Sequence, residues 1–274
     1  FVNKELIKNL LNSLSIKNII QDYAYKFGIS KDLPPFLSMS LGAGETDLLS
    51  LTNAYGMIIN GGKKITPTLI DRIQDRRGVT IFKHDKRNCK NCNGQLTNSK
   101  NIPLVAVKDT RKKVISPSSA YQMVSMLKGA IDRGTGIVIN SLGKNLAGKT
   151  GTTNSNTDAW FIGFSSDLVV GVFVGFDDPR PLGFKETGSS VAAPIFKDFM
   201  KEALLNIPDI PFRRPPGIKL ISVNPNSGLQ VSAKDKKSIL EAFKPGQLPN
   251  LSFNKNFIDL KNSNTIIKNL SPLY

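Results

Sequence analysis

The chain has 274 residues, with 37 Lys or Arg against 21 Asp or Glu, a net charge of +16, one His, two Cys and one Trp. With 40 % hydrophobic residues, a chain of this size buries about three quarters of its unfolded surface, which excludes pervasive disorder, a collagen repeat and a disulfide-stapled miniprotein. No run approaches about 18 uninterrupted apolar residues, so no segment of the sequence reads as a membrane span.

Apolar residues recur at helical spacing from Leu6 to Phe27, through Leu10, Leu11, Leu14, Ile19, Ile20, Tyr23 and Ala24, and Gly28 is placed to close the second of two helices. Pro34-Pro35 forces an extended stretch. After the glycine-rich turn Ser40–Glu45, Thr46 is a suitable N-cap for a helix over 47–59, which Asn60-Gly61-Gly62 ends. Ile65–Ile73 and Val79–Phe82 read as two strands joined by Asp75-Arg76-Arg77-Gly78. Residues 84–113 are polar and read as an irregular surface insertion. Ser116-Pro117-Ser118-Ser119 opens a helix with its apolar face at Tyr121, Val124, Leu127 and Ile131, and Gly134-Thr135-Gly136 terminates it.

Three strand-like segments follow: Leu146–Thr153, Ala159–Phe164 and Leu168–Phe176, with Ser165-Ser166-Asp167 as a hairpin-length connection. They predict a central antiparallel sheet whose third strand, almost continuously apolar, is buried on both faces. Ala192–Leu205 reads as an amphipathic helix packed back on that sheet. Four prolines in Ile207–Gly217 make an extended linker, and Ile218–Val223 with Leu229–Val231 form a hairpin across Asn224–Gly228. From about 250 the chain is rich in Asn and Lys and is expected to be poorly ordered. The fold class is thus mixed α/β, of the α+β type, with residues 1–206 as one domain and 207–274 as linker, hairpin and tail.

The positive charge is spread along the chain. Its densest clusters, Lys83–Lys90, Arg111-Lys112-Lys113 and Arg213-Arg214, carry no interleaved aromatics for base stacking, so nucleic acid is not an expected partner. Cys89 and Cys92 form a C-x-x-C pair in a polar loop. A structural zinc site takes four ligands, and only His84 lies near enough in sequence to be a third, so no metal is expected. A structural disulfide formed in an oxidising compartment is the preferred reading, with two idle thiols as the alternative.

The sharpest chemical signal is Lys149-Thr150-Gly151-Thr152-Thr153, on a short strand followed by a two-strand hairpin. On an edge strand, backbone N–H groups can hold an extended substrate or a developing oxyanion. The Lys cation and Thr hydroxyls suit a carboxylate, and Gly lets a ligand lie close to the strand. With Pro34–Glu45, Thr52–Tyr55, Asn60–Gly62, Pro67–Asp71, Tyr121–Val124, Arg133–Gly136, Ala147–Trp160, Gly171–Pro179 and Ile210–Ile218, this motif resembles the transpeptidase domain of class A penicillin-binding proteins over about residues 20 to 245.

That resemblance implies a penicillin-binding protein/β-lactamase-like transpeptidase fold: a central antiparallel sheet flanked by helices, here incomplete on its N-terminal side. It also implies a serine D,D-transpeptidase or carboxypeptidase activity that cross-links peptidoglycan. A serine is acylated by the D-Ala-D-Ala end of a stem peptide, the acyl group passes to a neighbouring amine, and β-lactams mimic the dipeptide. Lys149 would anchor the charge and hydrogen-bond network as the catalytic contribution of this chain. Thr150, Gly151 and Thr152 would bind substrate, with the Thr152 N–H supplying half of an oxyanion hole. No cofactor is implied. The implied partners are stem peptides, β-lactams, and an upstream glycosyltransferase domain and membrane anchor, at the periplasmic face of the inner membrane.

The departures are as informative. The family nucleophile lies in an S-x-x-K motif upstream of Lys-Thr-Gly. Ser125–Lys128, Ser141–Lys144 and Ser252–Lys255 share that spacing, but roughly two or three such matches arise by chance in a chain this rich in Ser and Lys. Ser125 falls inside a helix, Ser141 in a loop just before the strand, and Ser252 in the tail, so the nucleophile is expected to be absent from this chain. The family S-x-N motif counts back to Asn3-Lys4-Glu5, which lacks the Ser. The chain therefore reads as the latter part of a transpeptidase, inactive alone; the alternative is a non-catalytic relic of a split gene, or a module that binds peptidoglycan or partner proteins.

Overall fold

The computed structural model describes residues 14–87, 89–90, 106–107 and 109–249. The expectations for a helix before Leu14, for Asn3-Lys4-Glu5, for Cys92 and so for its pairing with Cys89, for Ser252 and for the tail from 250 lie outside those residues. Helix α1, Leu14–Phe27, stops at Gly28, whose φ of 72° suits a residue without Cβ and whose N–H donates to Tyr25 O at 3.0 Å. Helix α2 spans Leu48–Ile59. Its N-cap is Asp47 rather than Thr46, because the carboxylate accepts the Ser50 N–H at 2.8 Å at the positive end of the helix, and those bonds hold its pKa below the usual value. Thr46 instead donates from Oγ1 to Ile29 O at 2.9 Å.

The expected strand Ile65–Ile73 shortens to Arg72–Gln74 (β1), paired antiparallel with Thr80–Lys83 (β2). Pro67 has no N–H for a ladder, and Thr68 satisfies the Ile70 N–H with its own side chain at 3.0 Å. The 84–113 stretch is not wholly irregular, since Cys89–Lys90 (β3) pairs antiparallel with Ala106–Val107 (β4). Its far end is pinned by Asp109, which accepts from Lys63 Nζ at 2.6 Å and Arg111 Nη2 at 2.8 Å.

The Arg111 guanidinium, then Lys63, hold the Asp109 carboxyl well below the usual carboxylate range. A depressed folded pKa means the stabilisation is present at neutral pH and is lost as pH falls below about 4. Asp109→Asn is therefore expected to melt below the unsubstituted chain at pH 7, the difference narrowing steadily from about pH 4 downward. A difference that stays constant in thermal melts down to about pH 2 refutes this role.

Helix α3, Pro117–Asp132, begins as its sequence predicts: Ser116 Oγ accepts the Ser119 N–H at 3.0 Å and Pro sits in the first turn. A one-turn helix, α4 (Ile137–Asn140), leads into the sheet. Ala147–Thr152 (β5), Asp158–Phe164 (β6) and Val169–Gly175 (β7) form an antiparallel sheet in the order β5-β6-β7, so β5 is an edge strand. The β6–β7 turn is the expected one, with Ser165 Oγ, itself buried, accepting the Asp167 and Leu168 N–H groups.

The third strand is not the buried one. Ala159, Phe161, Ile162 and Phe164 of β6 are buried, whereas β7 is half-buried or exposed throughout. Burial follows position in the sheet, and β6 alone has strands on both sides. Helix α5, Ala193–Ala203, lays Phe196 and Met200 against the face that carries Ala159 and Phe161, as its amphipathic pattern predicts. The Phe161 and Phe196 ring centroids lie 4.7 Å apart. Gly148 and Gly163 face each other across β5 and β6, and a Cβ on either would come within 2.7 Å of a ring carbon of Phe161. The opposite face receives α2 and α3 through Tyr55, Val124, Leu127 and Phe164. At Gly171 of β7, a Cβ would collide with Thr52 Oγ1 of α2.

Lys219–Val223 (β8) pairs with Ile239–Phe243 (β9), not with Leu229–Val231, which supplies one bridge from Gln230 to Val223. The Asn224–Gly228 turn is tight, with Asn224 Oδ1 accepting two N–H groups, and it returns too little chain for a ladder. The proline segment is fastened down. Asp209 accepts from Asn145 N and Nδ2 at 2.8 and 2.6 Å, and Phe212 packs edge-on to Phe164 at 5.6 Å. Among the described residues, no helix is long and apolar enough to cross a membrane.

Candidate functional site

Strand β5 carries Lys149, Thr150, Gly151 and Thr152 opposite Ile162, Phe161, Trp160 and Ala159 of β6. Strand alternation puts Lys149 and Gly151 on the α2/α3 face, and Thr150 and Thr152 on the α5 face. Lys149 nevertheless reaches across to the edge, where its Nζ donates to Thr150 O at 3.0 Å and to Thr150 Oγ1 at 3.2 Å. Lys149 is exposed and makes no ion pair among the described residues. Its charge is therefore available to an anion at the strand edge. Gly151 needs its small size: a Cβ there would stand 3.0 Å from the Trp160 Cβ.

Two neighbouring loops fix the threonines. Thr150 Oγ1 shares a 2.7 Å hydrogen bond with Thr135 Oγ1, in the Gly134-Thr135-Gly136 turn that ends α3. Thr152 Oγ1 accepts the Gly188 N–H at 3.0 Å. Gly188 opens a single π-helical turn, Gly188–Ala192, capped reciprocally by Thr187 and Ser190. A Cβ on Gly188 would lie 2.5 Å from Trp160 O and still nearer to Gly151 O, so only glycine lets this turn close over the sheet end. Ser189 Oγ donates to Thr135 O at 2.6 Å, joining the two loops. The β5–β6 connection is strained, with Ser155 at φ 61° and Asn156 at φ 54°.

The sequence placed Lys149, Thr150, Gly151 and Thr152 on one strand but left Thr135, Gly188 and Ser189 out of the site. Gly134-Thr135-Gly136 carries a helix-stop signal, and the small residues of Thr187-Gly188-Ser189-Ser190 carry only a capping signal. The two S-x-x-K serines among the described residues are committed elsewhere. Ser125 Oγ donates to Glu241 Oε2 at 3.1 Å while Lys128 bridges Asp132 at 2.8 Å. Ser141 Oγ donates to Val138 O at 3.0 Å while Lys144 donates to Ile207 O at 3.1 Å. Neither serine is hydrogen-bonded to the lysine three residues on. No group of three or more His, Cys, Asp or Glu among the described residues is placed to hold a metal ion.

Residues 24–201 match the family described as Penicillin binding protein transpeptidase domain. The chain belongs to this family. It is 42 % identical over 247 residues to penicillin-binding protein 1A of Rickettsia conorii, covering 90 % of this chain and 31 % of that protein. The corresponding protein of Rickettsia prowazekii is 44 % identical over 225 residues, covering 82 % of this chain and 28 % of that protein. Among solved structures, penicillin-binding protein 1A from Haemophilus influenzae superposes with a TM-score of 0.70 at 30 % identity, over 86 % of this chain and 38 % of that one. The transpeptidase fold read from the motifs is thus the observed one, and this penicillin-binding protein chain spans less than a third of the length of its Rickettsia relatives.

Proposed function

We propose that β5 is the substrate-binding strand of a serine D,D-transpeptidase that cross-links peptidoglycan at the periplasmic face of the inner membrane. The ligand is the D-Ala-D-Ala end of a stem peptide, or a β-lactam in its place. The observation that carries this reading is the edge strand itself: an exposed Lys149 cation with no ion pair among the described residues, beside two threonine hydroxyls, each fixed by a separate loop. Such an edge can hold an extended peptide by its main chain while the cation and hydroxyls take the terminal carboxylate. The Thr152 N–H would contribute one donor to the oxyanion formed when the scissile carbonyl is attacked.

Residues 1–206 would supply this part of the catalytic domain, and 207–274 a proline-rich linker, a hairpin and a tail. The glycosyltransferase domain and membrane anchor implied by the family would be partners in the same protein. The serine that is acylated is assigned outside this chain: Ser125 and Ser141 both donate away from their lysines, and Ser252 follows the Lys-Thr-Gly strand whereas the family nucleophile precedes it. An activated serine needs a base within hydrogen-bond reach.

Incubation of the 274-residue chain with a fluorescent penicillin is expected to give no covalent label after denaturing electrophoresis. Rapid stoichiometric labelling overturns this reading, and mass mapping then names the serine. A titration with diacetyl-Lys-D-Ala-D-Ala, followed by amide NMR, is expected to shift the Thr150–Thr152 signals without turnover. Saturable shifts confined to other strands would favour the module that only binds peptidoglycan.

A further inference from the structure

The C-terminal hairpin is bonded to the helix whose end supplies Thr135. Four side-chain hydrogen bonds join α3 and its C-cap to β9 and the residue after it. Gln122 Nε2 donates to Ala242 O at 3.0 Å, and Lys244 Nζ donates to Ser119 Oγ at 2.7 Å. Ser125 Oγ donates to Glu241 Oε2 at 3.1 Å, and Arg133 Nη2 donates to Glu241 Oε1 at 2.6 Å. Ser125, Gly129 and Arg133 are spaced by four residues and share one face of the helix. Gly129 leaves the space in which the guanidinium lies back along α3, since a Cβ there would meet Arg133 Nη2 at 2.7 Å and Cζ at 2.8 Å.

Arg133 is also the C-cap of α3, with its N–H on Gly129 O at 3.0 Å, and its backbone runs directly into the Gly134-Thr135-Gly136 turn. The Gly136 N–H closes that turn on Ala130 O at 2.9 Å. Thr135 then meets Thr150 with its hydroxyl and Ser189 with its carbonyl. The Glu241 side chain is 15 % exposed, so its pairing with Arg133 is only partly open to water. It is the only carboxylate that pairs with Arg133 among the described residues. A charge-assisted bond of this kind orients a long side chain more firmly than a neutral one.

We propose that Glu241 is a positioning residue for the Lys-Thr-Gly strand: through Arg133 it fixes the end of α3, which sets the Thr135 hydroxyl that orients Thr150. The C-terminal hairpin is then part of the binding site rather than an appendage to it. The consequence for ligand binding rests on the reading of β5 as the substrate strand, whereas the consequence for Thr135 and Thr150 does not.

The test uses the whole chain with threonine γ-methyls carbon-13 labelled, in the unsubstituted form and as Glu241→Gln, Arg133→Ala, the double variant and Gly129→Ala. Glu241→Gln is expected to move the Thr135 and Thr150 methyl signals while Thr52, which bonds to Leu48 O in α2, stays in place. Arg133→Ala is expected to move the same two signals, and the double variant to move them no further, the non-additivity of a shared path. Affinity for diacetyl-Lys-D-Ala-D-Ala is expected to fall about five- to tenfold in each.

Gly129→Ala displaces the guanidinium while favouring helix, so it gives the same methyl shift even if the Glu241 variant loosens the hairpin. Static Thr135 and Thr150 signals in Glu241→Gln and Gly129→Ala overturn the proposal and leave Glu241 as a hairpin anchor alone. Shifted methyls in a chain that binds no peptide uphold the positioning role and overturn the substrate reading of β5.

Discussion

Replacing Phe196 by Ala is expected to lower the unfolding free energy by about 3–5 kcal/mol, a large share of the roughly 5–15 kcal/mol that holds a domain together. Phe196 is fully buried, its ring lies 4.7 Å from that of Phe161, and Gly148 and Gly163 are the two opposed positions of β5 and β6 near these rings. Gly148 and Gly163 carry no side chain that could swing in from the sheet side, so the cost should include a cavity term as well as the transfer term.

The same geometry makes a sharper test. A Cβ on Gly163 would come within 2.7 Å of the Phe196 Cζ. Gly163→Ala alone is thus expected to overpack the core by about 1–3 kcal/mol. In the Phe196→Ala background the clash with Phe196 is gone and only that with Phe161 Cε1 remains, beside a space into which that ring can shift, so the double variant should be more stable than the two single losses added together. Chemical denaturation of the four chains measures this, and strict additivity would show that Gly163 is not there to admit the Phe196 ring.

The local signals in the sequence translated well where one residue governs one bond. Ser116 caps α3, Gly28 stops α1 and Ser165 shapes the β6–β7 turn, because each bonds a backbone group two or three residues away. The Lys-Thr-Gly strand was legible for the same reason, as one contiguous run. Three features escaped. An apolar run suggests two covered faces and says nothing of neighbours in the sheet, so Leu168–Phe176 read as buried on both faces although β7 is half-buried or exposed and the buried strand is the central β6. The partner of β8 lies beyond a turn whose own chemistry suggested the nearer segment. Thr135 and Gly188 reach the site from 15 and 36 residues away, and small polar residues in turns look alike whether or not they hold a ligand strand.

Gly188 is where the site tolerates least. The methyl of Gly188→Ala would press on Trp160 O and Gly151 O, both backbone atoms already committed to the sheet, so the π-helical turn must lift instead. Lifting breaks the Gly188 N–H bond to Thr152 Oγ1 and strains the Ser189 bond to Thr135 O. Overpacking of about 1–3 kcal/mol and about 1 kcal/mol for the lost hydrogen bond should together lower the melting temperature clearly. Binding of diacetyl-Lys-D-Ala-D-Ala should weaken by more than about tenfold, since the Thr152 hydroxyl loses the N–H that fixes it and the turn no longer closes over the strand. Ser189→Ala removes one hydrogen bond without a clash, so it should cost only about 1 kcal/mol and weaken binding by about fivefold or less. The order Gly188→Ala well below Ser189→Ala, in both thermal melts and peptide titrations, is what distinguishes a turn clamped over the strand from one merely resting beside it.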